Sequence, residues 1–99
     1  MDSSLGKKTR KALKHFKEEF LRKIYFEEIS KYLIKEGIIT DSNAAKLKNE
    51  SREEQNHRLW EILFKERDDQ DIERFCNILK KQSVGAIKRL GQNIEKWMC

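Results

Sequence analysis

Side chains able to do chemistry are few in this chain of 99 residues, and their spacing does not assemble them. The two histidines, His15 and His57, stand far apart, and neither has a cysteine or carboxylate at a spacing that would share a metal ion. Each reads as a surface histidine. Cys76 falls on an apolar helical stripe and reads as a buried, inert thiol; Cys99, the last residue, does not head a prenylation box. The carboxylate pairs Glu18–Glu19, Glu27–Glu28 and Glu53–Glu54 are sequence neighbours. On a helix, neighbours point in different directions, so the pairs read as solvated surface rather than as an acid–base dyad. No glycine-rich phosphate loop, nucleophile elbow or paired-histidine motif occurs. The expectation is a protein without catalysis, metal or cofactor, which leaves binding as the chemistry to look for.

For binding, the cations are the informative residues. Residues 1–23 hold eight basic side chains against three acidic ones, which equals the whole net charge of +5. The remaining residues sum to zero. Arg10, Lys11, Lys14 and Lys17 fall at i, i+1, i+4 and i+7, off the Leu13–Phe16–Phe20 apolar stripe, so they can serve a partner without disturbing packing. A single exposed charge contributes little to stability, on the order of 0–1 kcal/mol in a pair. Segregated charge, by contrast, steers encounter and rejects wrong partners. Nucleic acid is the alternative partner, compatible with a pI near 9.3. Against it, most aromatic residues sit on inward stripes, and the acids of the fourth helix would repel phosphate.

These cations need elements to carry them. Proline is absent and glycine occurs four times, which permits helix almost throughout. Leu13, Phe16, Phe20 and Ile24 recur at i, i+3, i+7 and i+11, predicting a first helix over 7–23. Phe26, Ile29 and Leu33, with Tyr32 beside them, predict a second over 25–36, stopped by Gly37. Thr40 or Asp41 can cap a third over 42–49, whose apolar content is Ala44, Ala45 and Leu47. Ser51 and Glu54 form a capping-box pattern before a fourth over 52–66, with Leu59, Ile62 and Leu63 inward and Trp60 and Phe64 on the adjoining flank. Asp68 or Asp69 can cap a fifth over 70–81 carrying Ile72, Phe75, Cys76 and Leu79. After a break at Gln82–Ser83, Val84, Ile87, Leu90 and Ile94 predict a sixth over 84–96, which Trp97 and Met98 extend or fray. Connections of two to six residues describe one helical bundle spanning 1–99.

No run of about 18 apolar residues is present to cross a membrane. The start Met1–Asp2–Ser3–Ser4 lacks the glycine that myristoylation needs. Asn49–Glu50–Ser51 matches a glycosylation sequon that means nothing without secretion. Two thiols make no disulfide framework. A reduced, cytoplasmic or nuclear setting is expected.

The order of these segments resembles a caspase recruitment domain, or CARD. The run from Ile29 through Leu33 to Gly37, Ile38, Ile39 and Thr40 looks like the family's second helix and the following step of glycine, two aliphatics and threonine. Residues 46–50 resemble the third-helix ending of apoptosome-scaffold CARDs. Residues 58–63 resemble the leucine-rich fourth helix, and Phe75 with Leu79 resembles the fifth. The likeness covers roughly residues 7–92. Arg67–Asp68–Asp69 stands where a glycine usually separates the fourth and fifth helices.

The resemblance implies the death fold, a six-helix antiparallel Greek-key bundle whose first helix is often kinked. It also implies homotypic contact with another CARD-containing protein, an initiator caspase or an adaptor scaffold, or self-assembly into filaments. The basic surface so implied is Arg10, Lys11, Lys14 and Lys17 on the first helix with Arg52 and Arg58 on the fourth. The acidic surface is Glu27, Glu28, Glu36 and Asp41, with Glu50 at the end of the third helix, and Lys31 interrupts it.

Overall fold

A computed structural model describes residues 5–99; Met1–Ser4, on which the myristoylation reading falls, lie outside the described residues. Every regular element among the described residues is an α-helix, and there are seven: α1 Lys7–His15, α2 Lys17–Lys23, α3 Phe26–Lys35, α4 Asp41–Lys48, α5 Arg52–Glu66, α6 Asp69–Lys80 and α7 Gly85–Met98. The expected count of six rises because the first helix is broken in two at Phe16. No proline or glycine stands at the break. Leu13, Phe16, Phe20 and Ile24 are all buried, as their spacing predicts. A straight helix could not press all four into one core, because α1 packs on α7 while α2 packs chiefly on α5. Phe16 leaves helical geometry at φ −95° and ψ 12°, and its N–H still bonds to the Ala12 carbonyl at 3.0 Å.

The remaining helix ends follow local chemistry. α3 closes in a Schellman motif. Gly37 takes the left-handed conformation, φ +75°; its N–H bonds to the Ile34 carbonyl at 3.0 Å, and that of Ile38 to the Leu33 carbonyl at 2.9 Å. Thr40, not Asp41, caps α4: its Oγ1 accepts from the Asn43 N–H while the Asn43 side chain accepts from the Thr40 N–H, both at 3.0 Å. Asp68, not Asp69, caps α6 through the same reciprocal pair with Asp71. Asp69 instead accepts from the Gly6 N–H at 2.9 Å, tying the start of the chain to the start of α6.

One apolar core runs through all seven helices and includes Leu59, Phe75, Leu79 and Leu90, each fully buried. Phe20 and Phe75 meet inside it with ring centroids 5.6 Å apart. Four sequence expectations change. Trp60 is buried rather than flanking, because its indole N–H has a partner inside: the Leu13 carbonyl, at 3.0 Å. Ile62 is only partly buried, one position off the Leu59–Leu63 line. Tyr32 is exposed. Val84 is exposed because it forms the N-cap of α7 rather than its first inward turn.

Candidate functional site

α1 lies between two neighbours and presents three strips. On its inner side Thr9, Ala12 and Leu13 are buried. On the flank toward α5, Arg10 and Lys14 extend over the Phe64 ring, 5.1 and 5.8 Å from its centroid. Lys17, just past the break, extends over Trp60 at 4.4 Å. The two rings are themselves stacked, with centroids 4.6 Å apart and planes 11° off parallel. On the flank toward α7, His15 stacks on Trp97 at 4.3 Å, and the Lys8 ammonium donates to the Cys99 carbonyl at 3.4 Å. Between the flanks, Lys7 and Lys11 are exposed on the crest. The helix thus carries an unbroken cationic surface with an aromatic edge on either side.

Arg10, Lys11, Lys14 and Lys17, the four cations assigned to the first helix, therefore share one surface. The two arginines assigned to join them from the fourth helix do not. Arg52, at the start of α5, donates through Nε to the Ile24 carbonyl at 3.2 Å and through its terminal nitrogen to the Arg22 carbonyl. Its guanidinium lies 4.0 Å from the centroid of the Tyr25 ring. The last carbonyls of α2 lack intrahelical donors, and Arg52 supplies them. Arg58 pairs with Glu50 at 2.6 Å, so one member of the basic set neutralises one member of the acidic set within the same molecule.

The acids are dispersed as well. Glu27 and Glu28 border a cleft with Tyr25, Arg52 and Gln55. Glu27 also lines a second cleft, between α3 and α4, with Asp41 and Lys48. Glu36 lies elsewhere, in a depression formed with Tyr32, Lys35, Ile78, Lys81 and Ser83. Glu27 borders both clefts, Glu28 only the first and Asp41 only the second, and neither Glu36 nor Glu50 lines either.

Sequence reasoning missed the polar side chains that hold this arrangement. Gln55 and Asn56 are buried. The Asn56 amide nitrogen donates to the carbonyls of Leu21 at 3.0 Å and Ile24 at 2.6 Å, and that of Gln55 donates to the Leu47 carbonyl at 3.0 Å. α5 therefore closes the ends of both α2 and α4. The signal was present: continuing the Leu63–Leu59 stripe backward by one and two turns lands on Asn56, Gln55 and Arg52. Arg67 does similar work at the next junction, donating through Nε to the Ile38 carbonyl just after the Schellman turn.

Reactive groups are as sparse in space as in sequence. Burial pushes the Cys76 thiol up to about 12, with the nearby Glu95 charge adding to the effect, so it remains protonated. Among the described residues no three His, Cys, Asp or Glu side chains come together as a metal site, and no helix is long and apolar enough to cross a membrane. No protein-family model matches the chain, and comparison with curated proteins and with solved structures gives no match. Its functional reading therefore rests on its own residues.

Proposed function

We propose that the chain is a CARD-like docking module, which recruits a partner domain of the same class through the cationic surface of α1 and has no catalytic activity of its own. The observation that carries this reading is the gathering of Arg10, Lys14 and Lys17 along one flank, with Lys7 and Lys11 on the adjoining crest. The broken first helix supports it, since a kink there is what the resemblance implies. The packing of α1 on α7 and of α2 on α5, helices distant in the chain, accords with a Greek-key order, although the most extensive contact is between the successive helices α6 and α7. The complementary surface draws on Glu27, Glu28 and Asp41. Basic and acidic surfaces on different elements of one molecule form a heterologous contact, which need not close on itself and can propagate into filaments.

Reversing Lys14 and Lys17 to glutamate sets like charges against the partner's acids, which costs more than lost attraction. Self-association followed by light scattering should weaken at least tenfold, about 1.4 kcal/mol, with the helical circular dichroism unchanged. The counterpart is Glu27→Lys with Asp41→Lys, which should weaken it similarly. If both reversals leave association and partner capture intact, the docking reading fails. Tighter binding to an arbitrary DNA duplex than to any acidic protein surface would favour the nucleic-acid alternative instead.

A further inference from the structure

The cations on the α5 flank of α1 are held, not merely present, and what holds them is aromatic. Trp60 and Phe64 stack into one two-ring shelf on α5. The shelf is fixed to α1 by the Trp60 indole bond to the Leu13 carbonyl. Arg10 and Lys14 share the outer ring and Lys17 takes the inner one. None of the three is among the ion pairs of the described residues, so the ring faces are the contacts these cations make in common. An aromatic face attracts a cation electrostatically without neutralising it.

We infer that Phe64, backed by Trp60, is a positioning residue that sets Arg10, Lys14 and Lys17 in a row able to accept an acidic helix carrying carboxylates at i, i+4 and i+7. This rests on the docking reading and deepens it by naming the partner's chemistry. Long side chains ordinarily lose rotamer freedom when a partner orders them, which weakens binding. Here the shelf orders them beforehand. Arg10 and Lys14 lie one helical turn apart on α1, Lys17 follows just past the break at Phe16, and a partner helix laid alongside offers carboxylates at a comparable rise. Trp60 is buried and offers no open ring for a base to stack on, which favours an acidic protein helix over single-stranded nucleic acid.

The test uses the full chain with Trp97→Phe, which leaves Trp60 as the sole tryptophan, and an alanine-rich helical peptide with glutamates at i, i+4 and i+7. Trp60 fluorescence should change on titration, because a carboxylate seated beside Lys17 alters the electrostatic field at the indole. Phe64→Leu keeps every charge and removes the ring; peptide affinity should fall about fivefold. Phe64→Tyr should restore it. In a background of Arg10→Gln with Lys14→Gln, Phe64→Leu should have no further effect. Should the leucine variant not fold, Phe64→Met carries the same comparison. The inference is overturned if the peptide does not bind, if an oligonucleotide of equal charge binds tighter, or if the loss persists undiminished in the background lacking the two cations. If Phe64→Leu is silent while the Lys14 and Lys17 reversal abolishes self-association, the docking reading stands and the shelf plays no part in it.

Discussion

Asp68 illustrates how much one side chain can decide. Its carboxylate accepts from the free N–H of Asp71, and that bond, together with the Asp71 side chain and the Arg74 charge, holds its pKa below the ordinary 3.8 against the opposing effect of burial. A folded-state pKa below the unfolded one means that the unfolded chain binds the proton first. The stabilisation is therefore complete above about 3.8 and is lost as pH falls through the lower, folded value. Asp68→Ala should cost about 1 kcal/mol at neutral pH, and the gap to wild type, measured by urea unfolding, should narrow in acid. Asp68→Asn keeps an acceptor and should flatten that dependence. Asn56 belongs to the same scale with the opposite legibility. Removing its amide in Asn56→Ala strands the Leu21 carbonyl and leaves that of Ile24 to Arg52 alone, and we expect a loss of about 1–3 kcal/mol, read from the denaturant midpoint. The sequence narrowed the cap of α6 to Asp68 or Asp69 because caps have a local signature. For Asn56 the stripe gives the inward position but not the partners, which lie 35 and 32 residues away.

Helices as units were largely legible, because their stripes recur within a few residues. Their ends agree with the structure to within a residue or two, and the main error was to draw one helix through Phe16. No local residue marks that break; it is imposed by two different packing partners, α7 and α5, which periodicity cannot see. The α6–α7 contact was equally invisible. A Cβ at Gly91 would lie 2.8 Å from the Leu79 Cβ and 2.9 Å from the Cys76 carbonyl oxygen. Mid-helix glycine is ordinarily worse than alanine, so its retention here reflects a close approach of the two helices. Gly91→Ala should lower stability by about 1–3 kcal/mol through overpacking. Gly85→Ala, whose added Cβ would meet only the flexible end of Arg89 at 3.6 Å, should be neutral or mildly stabilising. Thermal unfolding of the two variants in parallel checks both signs.

For the molecule as a whole, charge was legible as a sum and only partly as a map. The concentration of cations in the first helix survives as a surface because α1 buries the opposite side. The assignment of Arg52 and Arg58 to that surface came from the resemblance alone, and both instead face partners within the chain. If exposed cations drive docking, affinity should fall steadily with added salt, since separated charges are screened beyond about 10 Å at 0.1 M. Isothermal titration across salt concentrations measures this, and affinity that rises with salt would point to an apolar contact. The packing of α1 on α7 has a consequence in time. N-terminal segments leave the ribosome first, yet α1 cannot settle fully until the last helix has been made, and contacts so distant along the chain form slowly. In pulse-labelled hydrogen exchange, amides of α6 should gain protection before those of α1. A nascent chain released before α7 would therefore carry its lysines on a loosely seated helix, so that competence to dock arrives only with completion of the bundle.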